Sequence, residues 1–323
     1  MTAAPNSLEG SEAADAARPR RIAVCTGDPA GIGPEVSLKA ARYFAGQSDV
    51  QLILLGCGAS LAAAAKIFVP EMKLQEVSGK PRQISTDIIA TMPLDSPGLE
   101  PNQRGRAGAV GGRLAFEAVQ RATDGCLANA FDAMVTAPVS KEAIEMSGQS
   151  FHGHTEWISE RCGRLGEEMM TMSHPKITVG YVTTHLPLVR VATALEGGRV
   201  LRCIELLCEY VLTSKSDGRP VAVCGINPHA GENGLLGGED REILLPAIRK
   251  AQQGGCRVEG PLPADTLFVP RFRRKYSAIL TIYHDQGGIP FKMLAFEDGV
   301  NLTLGLPIIR TSVDHGTAWD IAW

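Results

Sequence analysis

The stretch YSAILTIYHDQGG, residues 276–288, decides the fold class of this chain. Its apolar residues from Ala278 to Tyr283 run continuously instead of alternating with polar ones, which is typical of a strand buried on both faces. The run ends at His284, Asp285 and Gln286, and two glycines follow, so we predict a strand that ends in a flexible turn. Such a strand belongs in a parallel sheet that helices cover on both sides.

The same pattern recurs along the chain, with apolar runs followed by helical patterns. The predicted strands are RIAVCT (21–26), VQLILLG (50–56), FDAMVTAP (131–138), KITVGYVTT (176–184) and PVAVCGIN (220–227). The predicted helices cover residues 34–44, 59–67, 107–125, 140–147, 199–214 and 238–255, whereas residues 78–105 look irregular. Alternating strands and helices predict an α/β fold, and 323 residues are enough for two domains.

The composition excludes several classes of partner. Lys plus Arg number 32 and Asp plus Glu number 35, so the net charge of −3 gives no basic surface for nucleic acid. The dense basic run RFRRK (271–275) is interpreted as a solvated loop before the next strand. The most apolar window, LGCGASLAAAAKIFV, is broken by Lys66 and is too short to span a membrane.

The cysteines and the amino terminus indicate a cytoplasmic protein. The 8 cysteines are scattered and no pair has C-x-x-C spacing, so we expect buried free thiols in a reducing compartment. Residues 1–20 contain no apolar signal segment and are predicted to be a disordered tail.

Three predicted strands end in a histidine and a turn: TTHLP with His185, NPHAGE with His229 and YHDQGG with His284. Ligands gather beyond the carboxyl ends of the strands in open parallel sheets, and three imidazoles there could share one divalent cation. Their separation matches no local zinc signature, so spacing alone leaves a second interpretation open. In that interpretation the histidines cap strands or bond to the backbone.

Other polar residues gather in FHGHTE (151–156), LPADT (262–266) and GVNLTLGLPIIRTS (299–312). Arg310, Lys292 and Asn301 near predicted strand ends would suit a phosphate or carboxylate, although each alone could be a surface residue. GDPAGIGPE (27–35) could present backbone N–H groups to an anion at a helix start. It fits neither the dinucleotide fingerprint nor the phosphate-loop pattern.

Together these segments resemble the 4-hydroxythreonine-4-phosphate dehydrogenase family of vitamin B6 biosynthesis. The segments that carry the resemblance are GDPAGIGPEV, TAPVSKEAI, GHTE, TTHLPL, GINPHAGENG, GPLPADTLF, YHDQGGIPFK, GVNLTLGLPIIRTS and DHGTAWDIA. They run in order from residue 27 to residue 322. The resemblance extends to the wider isocitrate and isopropylmalate dehydrogenase group, and it implies two α/β/α domains with a cleft between them.

The resemblance also implies a set of site residues. The metal ligands would be His185, His229 and His284, binding one divalent cation (zinc, magnesium or cobalt) per site. The substrate residues would be His154, Thr155, Lys292, Asn301 and Arg310, with Lys292 and Asp265 as acid/base candidates. The nicotinamide segment, binding NAD or NADP, would contain His315, Gly316, Thr317, Ala318 and Asp320. Residues 21–145 with 290–323 would form the cofactor domain, and residues 146–289 the metal and dimer domain.

The implied reaction is the NAD-dependent, metal-assisted oxidation of 4-phosphooxy-L-threonine in pyridoxal 5'-phosphate biosynthesis. The resulting β-keto acid would lose carbon dioxide to give 3-amino-2-oxopropyl phosphate, in a homodimer whose subunits share each site. Two alternatives are a D-threonate or D-erythronate 4-phosphate dehydrogenase of sugar-acid catabolism, and a non-catalytic phosphate-binding protein. Retention of GHTE and TTHLPL favours a phosphorylated four-carbon acid over the dihydrodiol acids of another branch.

One departure concerns the carboxyl end. The sequence ends at DIAW (320–323), where the family usually continues with a glycine and a final helix. Two interpretations are open, a truncated sequence or a tail that is absent by nature. In both, the resemblance does not carry over to cofactor affinity and helix packing at this end.

Overall fold

The computed structural model describes residues 18–78, 85–96, 99–100, 103–215 and 217–323. Of the predicted disordered tail, residues 1–17 lie outside the described residues. The prediction is wrong for its last residues, because Arg18 pairs with Asp132 at 2.8 Å and Arg20 is the first residue of a strand. The strands are β1 (Arg20–Cys25), β2 (Val50–Cys57), β3 (Lys73–Glu76), β4 (Ile88–Leu94), β5 (Ala133–Thr136), β6 (Met169–His174), β7 (Ile177–Tyr181), β8 (Val221–Cys224), β9 (Val258–Leu262), β10 (Ala278–Thr281), β11 (Val300–Leu304) and β12 (Arg310–Ser312).

The α-helices are α1 (Gly33–Phe44), α2 (Gly58–Phe68), α3 (Ala109–Leu127), α4 (Lys141–Met146), α5 (His154–Arg161), α6 (Leu188–Val191), α7 (Gly197–Ser214), α8 (Leu245–Gln253), α9 (Ala264–Leu267), α10 (Pro270–Arg273) and α11 (His284–Ala295). Short 3-10 turns cover Ala192–Ala194, Pro228–Gly234 and Trp319–Ile321, and a π turn at Asp240–Leu244 leads into α8. None of the described helices is long and apolar enough to cross a membrane.

The chain divides into two compact units, Met1–Ile158 with Pro307–Trp323 and Ser159–Leu306. Both boundaries lie later in the chain than the sequence-based ones at residues 145 and 289. The assignment of one domain to the cofactor and the other to metal and dimer contacts stays a prediction.

The first unit contains parallel strands in the order β3-β4-β2-β1-β5-β12. Leu38 of α1 and Leu61 of α2 pack with Leu54 of β2 in one buried cluster. Helix α3 also packs against β1, β2 and β5, and its buried residues are mostly alanine and glycine. A Cβ atom on Gly112 would lie 1.9 Å from the carbonyl oxygen of Ala143, so glycine here lets α3 approach the backbone of α4 closely.

The second unit contains strands in the order β11-β6-β7-β10-β8-β9. The strands β7, β10, β8 and β9 are parallel, whereas β6 pairs antiparallel with both β7 and β11. Apolar residues of α7, such as Ile204 and Leu207, pack with Leu280 of β10, and Phe291 of α11 packs with Val179 of β7. The α/β fold class expected from the sequence is therefore confirmed, and several strands are buried along their whole length.

The structure corrects three expectations about local structure. Residues 78–105, expected to be irregular, contain β4, in which Pro93 lies next to the last residue. The expected parallel sheet includes the antiparallel β6, because the two residues between β6 and β7 form a tight hairpin rather than a crossover.

The third correction concerns the stretch from which the fold was inferred. The flexible turn expected after Tyr283 is wrong, because α11 begins at His284 and includes both glycines. A Cβ atom on Gly287 would lie 2.5 Å from Cγ1 of Val179 and 2.7 Å from Oγ1 of Thr281. These glycines therefore allow a helix to pack closely on the sheet.

Other expectations are confirmed. All 8 cysteines are free thiols, and most of them are buried. Helix α1 begins at Gly33 with Pro34 in its first turn, and Ser140 caps α4 by accepting a hydrogen bond of 3.1 Å from the Ala143 N–H.

Candidate active site residues

A buried arginine connects two strand ends in the first unit. Strand β12 begins at Arg310 and lies parallel to β5, with Ser312 opposite Thr136. The guanidinium of Arg310 donates hydrogen bonds to Oγ1 of Thr136 at 2.8 Å and to Oγ1 of Thr155 at 3.4 Å. Burial lowers the pKa of Arg310 to about 10, while Cys25 and Glu156 raise it, so the side chain carries its charge at neutral pH.

His154 lies next to this arginine at the start of α5. Its Nε2 atom is buried and has no hydrogen-bond partner among the described residues. Burial lowers the pKa of His154 to about 3, and the cations Arg310 and Lys141 lower it further. The cluster therefore combines a neutral imidazole with two cations, which is an environment that attracts an anion.

The structure thus brings together His154, Thr155 and Arg310, three of the residues predicted to bind substrate. Thr136 and Lys141 belong to the same cluster, although neither was predicted from the sequence as a site residue. Both lie in the quoted segment TAPVSKEAI, whose position at the end of β5 was the available signal.

The predicted cofactor segment contacts the GDPAGIG loop. The Ile32 N–H donates to the carbonyl oxygen of Thr317 at 2.9 Å, and a Cβ atom on Gly31 would lie 2.7 Å from that oxygen. Ala318 adopts a left-handed backbone with φ of 47°. The role predicted for His315, Gly316, Thr317, Ala318 and Asp320 remains a prediction.

The backbone donors of the GDPAGIG loop are largely occupied by the protein itself. The Ala30 N–H donates to Oδ1 of Asp28 at 2.9 Å, the Gly31 N–H donates to the Asp28 carbonyl at 3.0 Å, and Ile32 donates to Thr317. The loop therefore has fewer free N–H groups for an anion than the sequence suggested.

Asp28, in the GDPAGIG loop, is a buried carboxyl group for which the sequence pattern predicted no role. It is 1% exposed, and its Oδ2 atom is buried with no hydrogen-bond partner in the described part of the chain. Burial raises the pKa of Asp28 to about 6, although the Ala30 N–H lowers it. A carboxyl group that titrates near neutrality therefore lies buried within the same loop that contacts the cofactor segment.

In the second unit, two of the three predicted metal ligands are neighbours. His185 follows β7 and His284 follows β10, and their ring centroids lie 5.9 Å apart. The Nδ1 atom of His284 lies 2.7 Å from Oδ1 of Asp285, and its ring stacks on Tyr181. Because an ionised carboxylate can only accept, Nδ1 carries the proton and the Nε2 lone pair is left for a metal ion.

His229 lies on an unusual turn. Residues 229–233 all have φ between 42° and 77°, although only one of them is glycine. The buried carboxylate of Asp240 accepts from the Ile226 and Asn227 N–H groups at 2.8 and 3.1 Å, and from the Asn227 amide at 2.9 Å. The exposed His229 thus follows residues 226 and 227, which are held in place by their hydrogen bonds to Asp240.

These donors fit a divalent cation by their chemistry, because imidazole nitrogens are common ligands of transition metals. The structure brings His185 and His284 together but does not group them with His229. No cluster of three His, Cys, Asp or Glu side chains with metal-binding geometry occurs among the described residues.

The remaining predicted residues are dispersed over the second unit. Asp265 is exposed on α9, which contacts the turn that contains His229. Lys292 is exposed on α11, two turns after His284. Asn301 lies on β11, with its Oδ1 atom buried and unpartnered in the described structure.

Gln286 has a structural contact that the sequence did not reveal. Its Oε1 atom accepts from the Ile282 N–H at 2.8 Å, and its Nε2 atom donates to the Gly225 carbonyl at 2.7 Å. The amide therefore connects the carboxyl ends of β10 and β8, from which His284 and His229 follow.

The family model described as "Pyridoxal phosphate biosynthetic protein PdxA" matches residues 48–323. The chain belongs to the PdxA family. A relative from Ectopseudomonas mendocina, named 4-hydroxythreonine-4-phosphate dehydrogenase, is 40% identical over 307 residues, covering 94% of this chain and 89% of the relative. A relative from Salmonella typhimurium, named D-threonate 4-phosphate dehydrogenase, is 39% identical over 308 residues, covering 94% and 93%.

A solved structure supports the same family assignment. The crystal structure of 4-hydroxythreonine-4-phosphate dehydrogenase from Klebsiella pneumoniae matches with a TM-score of 0.84 and 36% identity, covering 95% of this chain and 92% of that chain. The expected family is confirmed. Because its relatives are named dehydrogenases, this PdxA-family protein is an oxidoreductase that acts on a CH–OH group.

Proposed function

We propose that this PdxA-family protein uses NAD to oxidise the secondary alcohol of a four-carbon hydroxy acid phosphorylated at C4. The observation that carries the proposal is the cationic cluster of Arg310 and Lys141 around the neutral His154. Arg310 offers a planar set of donors that suits a phosphate, and the Thr155 hydroxyl lies beside it.

The oxidation removes a hydride from the carbinol carbon and a proton from its oxygen, and bound NAD supplies the hydride acceptor. A divalent cation held by His185, His229 and His284 would lower the pKa of the substrate hydroxyl. The exposed Asp265 and Lys292 are the candidates to take the hydroxyl proton, and to return a proton to carbon after carbon dioxide leaves. Asp285 would keep the proton of His284 on Nδ1, away from the cation.

The first candidate substrate is 4-phosphooxy-L-threonine, which would give 3-amino-2-oxopropyl phosphate after decarboxylation. The family model, whose description names pyridoxal phosphate biosynthesis, supports it. The second candidate is D-threonate 4-phosphate, which is favoured by the name of a relative of 39% identity. The two acids differ in an amino or hydroxyl group at C2.

A homodimer in the cytoplasm completes the proposal. Ile289 and Met293 on α11 and Phe296, the residue directly after it, form an apolar stripe at helical spacing. They are 59%, 80% and 76% exposed in the single chain. Exposed apolar stripes of this kind mark protein interfaces. Lys292 lies on the same helix, so a partner that covers the stripe would approach a predicted substrate residue.

The test is a side-by-side assay of NADH or NADPH formation from the two acids, with and without a chelator. We expect turnover of one acid with NAD that a divalent metal restores after chelation. Full metal-independent turnover would contradict the metal ligands, and faster turnover of D-threonate 4-phosphate would select the second candidate.

Two variants locate the reaction. His229→Ala should abolish turnover while the fold survives, whereas the same change at the exposed His152 should leave turnover intact. Thr155→Ala should raise KM for the phosphorylated acid by roughly tenfold, since a hydrogen bond to a charged group is worth about 1.5–3 kcal/mol. An unchanged KM in this variant would show that the phosphate does not bind at the Arg310 cluster.

A further inference from the structure

The second unit contains a basic cavity that the proposed function does not use. Its volume is about 370 Å³, and its walls include Lys176, Lys215, Arg219, Arg273 and Arg274. Arg273 and Arg274 belong to the run RFRRK (271–275), whose composition predicted a solvated loop. We propose that this cavity is a binding site for a small anion carrying one or more phosphate groups.

The cavity is separate from the predicted metal ligands. Its walls include Ile177, Ser277 and Ala278, at the amino ends of β7 and β10. His185 and His284 follow the carboxyl ends of the same two strands. Strands of this length, at about 3.3 Å per residue, separate the two ends by roughly 15 Å.

The positive charge of the cavity is only partly balanced by the protein. Arg219 pairs with Asp217 at 2.5 Å, and Asp217 also accepts a hydrogen bond from Ser277. No ion pair joins the other four cations to a carboxylate within the described parts of the chain. The whole protein carries a net charge of −3, so this concentration of positive charge runs against the average of the chain.

Two of these cations are held inside the wall rather than in solvent. The Nζ atom of Lys215 donates to Oγ1 of Thr178 at 2.7 Å and to the Ser277 carbonyl at 3.1 Å, both of which are uncharged acceptors. The Nε atom of Arg273 is buried with no partner among the residues described. Burial lowers the pKa of both groups, so an anion would stabilise their charged forms.

The chemistry of the walls selects the class of ligand. Arginine binds phosphate through its planar donors, and lysine adds a point charge. The volume lies near the lower end of the range for small-molecule pockets, about 300–1,000 Å³. A compact phosphate or diphosphate group therefore fits better than a large nucleotide.

The run RFRRK offers a matched control for the test. Arg271 and Lys275 flank the two wall residues, but they lie over the ring of Phe272 and do not line the cavity. Arg273→Gln/Arg274→Gln and Arg271→Gln/Lys275→Gln therefore remove the same charge from the same segment. Lys176→Gln is a third variant, at an exposed residue of the cavity wall, where the substitution should leave the fold unchanged.

Calorimetric titration with pyrophosphate should show binding that weakens with salt. We expect Arg273→Gln/Arg274→Gln to lose about tenfold or more in affinity, Lys176→Gln to lose less, and the control pair to bind as the wild type does. Equal affinity in all variants would overturn the proposal, because the phosphate would then bind elsewhere.

A local measurement separates this cavity from the Arg310 cluster. Amine acylation followed by mass spectrometry reports Lys176 for the cavity, Lys141 for the Arg310 cluster and the exposed Lys275 as an internal reference. Pyrophosphate should slow acylation of Lys176 and leave Lys275 unchanged. Protection of Lys141 alone would show that pyrophosphate does not bind in the cavity, which would overturn this proposal. The proposed function would be unaffected by that result.

Discussion

Replacing Asp28 by asparagine should make the first unit more stable at high pH relative to the wild type. The carboxyl of Asp28 is 1% exposed, and its Oδ2 atom has no hydrogen-bond partner among the described residues. Asparagine keeps the oxygen that accepts from the Ala30 N–H at 2.9 Å, and it cannot ionise. The variant therefore removes the burial of a charge while conserving the shape of the side chain.

The size of the effect follows from the raised pKa of Asp28, about 6 in the folded protein against an ordinary value of 3.8. Between these values the folded state binds more protons than the unfolded state, so stability falls as the pH rises. The full penalty is present above pH 6 and amounts to about 3 kcal/mol, at 1.36 kcal/mol per pKa unit. Any constant cost of the asparagine NH₂ group cancels when two pH values are compared.

Urea unfolding followed by tryptophan fluorescence is the assay, because Trp157, Trp319 and Trp323 all belong to the first unit. The difference in unfolding free energy, Asp28→Asn minus wild type, should increase by about 2–3 kcal/mol from pH 4 to pH 8. A difference that is constant with pH would refute the reasoning.

Asp132→Asn is the control for this measurement. The Arg18 side chain lowers the pKa of Asp132 to about 2, so its contribution to stability is lost only as the pH falls below 3.8. The cost of Asp132→Asn should therefore be nearly constant from pH 5 to pH 8.

The remaining predictions concern a histidine, the α11 stripe and a glycine. Because the pKa of His154 is about 3 in the folded protein, its contribution to stability is lost as the pH falls from 6.5, and His154→Asn should weaken the pH dependence of urea unfolding in that window. Met293→Glu should shift a dimer toward monomer in sedimentation experiments, whereas Leu212→Glu, at a residue 78% exposed, should not; equal behaviour would exclude the stripe as the interface. Gly287→Ala should lower the unfolding free energy of the second unit by about 1–3 kcal/mol through overpacking against β7, and a neutral effect in calorimetry would contradict the close approach of α11.

Much of the fold could be predicted from apolar periodicity, because strands buried on both faces and amphipathic helices have distinct patterns. The strand β10 and the helix α7 are examples. The stretch after β10 was misread because Gly287 and Gly288 are strong turn signals in isolation. Gly287 instead allows α11 to pack closely against Val179 of β7. A local sequence pattern carries no information about such a tertiary contact.

The candidate site was predicted unevenly for a similar reason. His185 and His284 could be placed together because both follow parallel strands, whose carboxyl ends share one edge of a sheet. The neighbours that determine the charge state of a site residue, in contrast, are set by tertiary structure. Burial beside Arg310 keeps His154 neutral, and burial raises the pKa of Asp28, a residue for which the sequence pattern predicted no role.

The turn that contains His229 shows most clearly how the fold serves the site. A left-handed backbone costs about 1–2 kcal/mol for each residue that is not glycine, and four such residues occur among 229–233. Hydrogen bonds to a charged group are worth about 1.5–3 kcal/mol each, and the carboxylate of Asp240 accepts three at the start of the turn. The two contributions are of similar size, so the hydrogen bonds to Asp240 offset the cost of the left-handed turn that follows. The imidazole of His229 is consequently presented by a strained backbone that a buried carboxylate maintains, an arrangement that fits a ligand-binding role better than a solvated loop.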